Sequence, residues 1–185
     1  MARHDKYVSV VERYGVALKE LASVLPDAQI ETWMFAARAA CYGELAPVAA
    51  AKVPSLNEYS AYLTGGSAIA DCLFEVSSRA VALNVEQGSL PTRIVLWTDG
   101  WDRGSEHAPA DYLDALKGDP DIKLQFIAFV DRSERWRLDA FVKEARIEPE
   151  QMSIFEHGED RASTLDATYA AADALNRTIV GLTKL

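Results

Sequence analysis

Two runs of residues limit what this chain can fold into. Arg93-Ile94-Val95-Leu96-Trp97 and the longer stretch from Ile122 to Val130 are rich in β-branched and apolar residues, the second becoming continuously apolar from Phe126 onward. Strands of that composition are buried on both faces, as parallel sheets require. Around them lie segments with the three-and-four apolar spacing of amphipathic helices. One carries Val11, Tyr14, Leu18, Leu21 and Leu25 and stops at Pro26-Asp27; another runs from Ala68 to about Leu83 with Ile69, Cys72, Leu73, Val76 and Ala80 on one side. Further helices are predicted near Pro109 to Lys117, Ser133 to Ala145 and Ala162 to Thr183. Further strands are predicted at Ala28 to Ala36, Ala40 to Leu45 and Met152 to Phe155, whereas Pro47 to Tyr62 shows no clear period. Strands alternating with helices imply an α/β domain, mainly parallel, with helices on both faces.

The length of 185 residues suits one domain with a substantial core, taken as residues 1–185. A net charge of −9 lacks the cationic footprint that nucleic acid or an anionic membrane surface needs, and no run of about 18 apolar residues occurs. Met1 to Tyr7 has no apolar region behind its charges, so the expected compartment is cytoplasmic. Cys41 and Cys72 sit in apolar stretches outside any C-x-x-C pair and read as two buried small hydrophobes. His157, within Glu156-His157-Gly158-Glu159-Asp160, reads as part of a solvated acidic loop.

Functional loops of an open parallel sheet lie beyond the carboxyl ends of its strands. Two segments have that position. Thr64-Gly65-Gly66-Ser67 opens a helix, so its glycines allow close backbone approach and Ser67 is either a ligand or the helix cap. Thr98-Asp99-Gly100-Trp101-Asp102-Arg103-Gly104 follows a buried strand, and Asp99 there is a cation ligand, a base or a turn residue. Trp101 beside Asp102 and Arg103 is the raw material of a protein-binding hot spot. There is no phosphate loop, no dinucleotide fingerprint, no nucleophile elbow and no paired histidine motif.

The order of these pieces resembles a von Willebrand factor A domain. The likeness rests on the first helix followed by an apolar strand, on Thr64-Gly65-Gly66-Ser67-Ala68-Ile69-Ala70-Asp71-Cys72-Leu73, and on Arg93-Ile94-Val95-Leu96-Trp97-Thr98-Asp99-Gly100. It implies a Rossmann-like three-layer sandwich with a metal-ion-dependent adhesion site to which Ser67 gives a hydroxyl and Asp99 a carboxylate. The family's first strand, with its D-x-S-G-S ligands, is not found before the first helix, and the expectation is that the chain starts just after it. Two side-chain ligands leave most of an Mg²⁺ octahedron to water, so metal binding is expected to be weak.

A sheet lacking a central strand leaves facing edges unpaired. The sequence therefore predicts either a rearranged sheet or a strand supplied by a partner, a second copy included. The leading expectation is a non-enzymatic protein-interaction module inside a larger assembly, with Thr64, Gly65, Gly66, Trp101, Asp102 and Arg103 at its recognition end. Cytosolic relatives in the family suggest an AAA+ ATPase as one partner. The alternatives are a hydrolase or phosphoryl-transfer enzyme using Asp99 and Asp102, and a structural component pairing through an exposed sheet edge.

Overall fold

The description that follows rests on a computed structural model covering residues 2–62, 66–88, 90–98 and 101–158, with 166, 167, 169–171, 173, 174, 177 and 178. Its elements are α1 (Ala2–Val24), β1 (Gln29–Phe35), β2 (Ala39–Pro47), α2 (Leu56–Tyr62), α3 (Ile69–Gln87), β3 (Thr92–Thr98), α4 (Asp111–Leu116), β4 (Ile122–Asp131), α5 (Arg135–Glu144) and β5 (Met152–His157). The residues described between 166 and 178 are helical. The helix α1 begins well before its apolar stripe, and α2 forms inside the stretch that carried no period.

β4 organises the core. Its side chains alternate between two clusters, as successive residues of a strand must. Ile122, Leu124, Phe126, Ala128 and Val130 meet α3, Tyr112 of α4, and Leu138, Phe141 and Val142 of α5. Ile127 and Phe129 meet Ala17, Leu18 and Leu21 of α1 together with Ala167, Ala171 and Ala174. β3 and β5 flank β4 in parallel register, Ile94 opposite Leu124 and Phe129 opposite Phe155. Helices thus cover both faces of a three-stranded parallel sheet, the mixed α/β class that the alternation predicts.

β1 and β2 form a separate antiparallel hairpin sheet, Gln29 opposite Pro47 and Phe35 opposite Ala39. The chain does not close these into one sheet. β1 pairs only with β2 and β3 only with β4 among the described residues. The direction of the two free edges follows from α3. The Ala68 amide donates to the Ala36 carbonyl (2.7 Å), and Arg79 pairs with Glu31 at 3.1 Å, so α3 starts at the carboxyl end of β1 and runs back along it. Thr92 Oγ1 at the start of β3 donates to Asn84 Oδ1 near the end of α3 (3.1 Å), while Asp102, just past β3, reaches Ala70 in its first turn. α3 is antiparallel to both strands, so β1 and β3 point the same way.

Between them lies a cavity of about 1630 Å³, lined by consecutive residues of both strands. This opening corrects the reading of β3 as a strand buried on both faces: Ile94 and Leu96 are buried, but Val95 and Trp97 on the other face are only half-buried.

The cysteines also separate. Cys72 is buried beneath α3, where loss of solvation and then the nearby Glu75 and Asp71 push its thiol up to about 12. Cys41, expected to be buried, is exposed because β2 is the outer strand of a two-stranded hairpin. Titration of the native protein with a thiol reagent is therefore expected to modify one cysteine, Cys41, and to reach Cys72 only after denaturation. Peptide mapping of the labelled protein checks this, and rapid native labelling of Cys72 would contradict the packing.

Candidate functional site

The first turn of α3 leaves amide groups without helical partners, and something must accept from them. Ser67 does not: Ala68 is the N-cap and no side chain of its own caps the helix. The acceptors come instead from the loop after β3. The Ala70 amide donates to Asp102 Oδ1 (2.9 Å) and to Ser105 Oγ (3.1 Å), the Asp71 amide donates to Ser105 Oγ (3.3 Å), and Ser105 Oγ donates to Asp102 Oδ1 (2.6 Å). A carboxylate at this place also complements the positive end of the helix dipole.

The clamp is reciprocal. Asp71, one residue further along the helix, accepts from the amides of Glu106 (2.9 Å) and His107 (2.8 Å), with His107 Nδ1 at 2.9 Å from the same carboxylate. The His107 ring stacks on Phe74, centroids 4.0 Å apart. Burial pushes the Asp71 carboxyl up, but the bonds from the His107 main chain and side chain and the Glu106 amide outweigh it and hold it below its ordinary value.

Gly66 explains one of the two glycines singled out in sequence. The Arg103 amide donates to the Ser67 carbonyl (2.8 Å), and a Cβ at position 66 would overlap the Arg103 carbonyl oxygen. Here glycine serves a close backbone approach. Thr64, Gly65, Asp99 and Gly100 lie outside the described residues. Ser67 is half-buried beside the clamp.

The rest of loop 101–107 faces outward. Two guanidinium groups stand over the ring of Trp101, Arg103 at 4.9 Å and Arg137 of α5 at 4.3 Å from its centre, and Arg137 also stands 5.1 Å from the ring of Trp136. Trp136 is 65% exposed. Sequence reading found Trp101 and Arg103 but missed Arg137 and Trp136, which α5 brings in from far along the chain; only a forecast of α5 docking beside β3 would have found them. His157, read as part of a solvated loop, ends β5 and stacks on Phe129 at 4.5 Å.

Among the described residues no group of three or more His, Cys, Asp or Glu side chains is placed to hold a metal ion. The carboxylates of Asp71 and Asp102 at the start of α3 accept from main-chain amides. No helix among the described residues is long and apolar enough to cross a membrane. No protein family, curated protein or solved structure matches the chain.

Two outcomes test the clamp. Gly66→Ala is expected to cost about 1–3 kcal/mol, as overpacking against rigid backbone does, read as a lowered midpoint in urea. The second concerns pH. Asp71 has a folded value below its unfolded value of about 3.9, so its contribution is complete above that range and is lost as pH falls through the lower folded value. The protection factors of the Glu106 and His107 amides should therefore fall as pH drops through that lower folded value, and Asp71→Asn should show the reduced protection at neutral pH.

Proposed function

We propose that this chain is a non-enzymatic protein-binding module of the von Willebrand factor A kind, working in the cytoplasm inside a larger assembly. The observation that carries the reading is the pair of guanidinium groups, those of Arg103 and Arg137, held over the ring of Trp101 beside the exposed Trp136. Tryptophan and arginine are the residues most enriched at energetic centres of interfaces, and stacking holds the guanidinium groups in place before a partner arrives. The patch sits at the carboxyl end of the parallel strands, where an α/β fold presents its ligand loops.

The clamp gives this patch a firm base. Asp102, Ser105 and Asp71 fix the loop to α3, so Asp102 works as a positioning residue while Trp101 and Arg103 meet the partner. Two guanidinium groups on an acidic chain select an acidic partner surface, an acidic segment of an AAA+ ATPase among them. Ser67 and Asp99 stand as the remnant of an adhesion site, and the binding proposed here runs through side chains of the patch.

The test is quantitative capture of partners by the full chain, with each captured protein identified and its affinity then measured. Trp101→Ala and Arg137→Ala are each expected to weaken that affinity by roughly thirtyfold or more, the effect of losing about 2 kcal/mol at a hot spot, with unchanged thermal midpoint and no effect of chelator. Unchanged affinity in both variants would overturn the assignment of the patch. Loss of binding on chelation would return the site to Ser67 and Asp99.

A further inference from the structure

We infer that the cavity between β1 and β3 is a receptor slot for one extended strand donated by a separate polypeptide. This inference is independent of the Trp101 patch, which lies on the loop side of α3.

Four features of the slot define its occupant. First, its two long sides are strand edges: β1 and β3 are each seven residues long, run in the same direction, and have no strand on their facing edges among the described residues. An added strand would pair on both sides at once. Second, the walls above and below are apolar. Cys72, Val76 and Ala80 of α3 line one, and Tyr14, Leu21 and Leu25 of α1 and its end line the other. A strand covered on both faces must be an almost continuous run of valine, isoleucine and leucine.

Third, the cavity runs the full length of both strands, lined by Gln29 to Phe35 and by Thr92 to Thr98, which is the span of an extended heptapeptide. Fourth, Arg93 Nε and Trp97 Nε1, both on β3 at the slot, are shielded from solvent and have no hydrogen-bond partner among the described residues. Buried donors left in this state cost about 1–3 kcal/mol each, and carbonyl groups of an inserted strand are the acceptors they lack.

The donor is not a described strand of the same chain, since β1 to β5 each pair with another strand already. A second copy would have to give up one of its own paired strands to fill the slot. A separate donor forfeits no such pairing, and edge addition of an extended segment is a known recognition mode with main-chain bonds for affinity and side-chain pockets for specificity. The donor would enter parallel to β1 and β3, its direction fixed by theirs.

Hydrogen exchange read by mass spectrometry tests this on the full chain. The probe is a synthetic peptide with seven alternating valine, isoleucine and leucine residues flanked by paired lysines; the control carries proline at its centre. The expected result is slowing of exchange by tenfold or more in both 29–35 and 92–98 with the probe and not with the control, while the already paired 122–131 changes little. Val76→Trp and Ala80→Leu, two separate ways of filling the slot, are expected to abolish the protection, and either one that folds suffices. Protection of one edge alone, or of neither, would overturn the inference. Equal protection of both segments without probe, rising with protein concentration alongside a dimer in light scattering, would overturn the separate donor in favour of a second copy.

Discussion

Every interior strand must have its main-chain groups paired on both sides, and among the described strands β4 meets that requirement. β4 has β3 and β5 as neighbours and is buried along most of its length. Its alternating side chains then dictate which helices go where: α3, α4 and α5 on the face of Phe126, α1 and the carboxyl-terminal helical residues on the face of Phe129. β1 and β3 have one neighbour each, and the hairpin stays attached through α3 and α1 in place of sheet bonds. Main-chain pairing that ends at β3 is the reason that the sheet is split.

Much of this was legible in the residues. The apolar run of β4 and the helical spacing of α3 and α5 are strong periodic signals, and the structure places those elements within a few residues of expectation. α2 was invisible because seven residues containing Asn57 and Ser60 carry no stripe, and its start is set locally by Ser55 and Glu58 bonding to each other's amides. The half-exposure of Val95 and Trp97 was illegible for a different reason: burial depends on what lies beyond the free edge, and no local pattern reports that.

The site divides in the same way. Trp101 and Arg103 stand out in sequence because large aromatic and cationic groups are unusual in an Asp-Gly turn. Asp102 stood out too, but sequence could not show that its carboxylate turns inward to Ala70. Ser67 was either a ligand or the helix cap by its position before the helix, yet the loop after β3 supplies the acceptors for those amides, a charged carboxylate and Ser105 together. Arg137 and Trp136 belong to another helix, so their part in the patch is a fact of tertiary packing.

α3 serves two surfaces at once. Its first turn anchors loop 101–107, and Cys72, Val76 and Ala80 a little further along wall the cavity beside β1. A rigid helix cannot tilt at one end and stay still at the other, so the two surfaces share one mechanical element. Thermodynamic linkage then demands symmetry: if filling the cavity changes the affinity of the Trp101 patch by some factor, occupation of the patch changes the affinity of the cavity by that same factor. α3 is in this sense a lever between the two proposed surfaces, and Asp71, at its loop end, is the carboxylate that ties the loop to it.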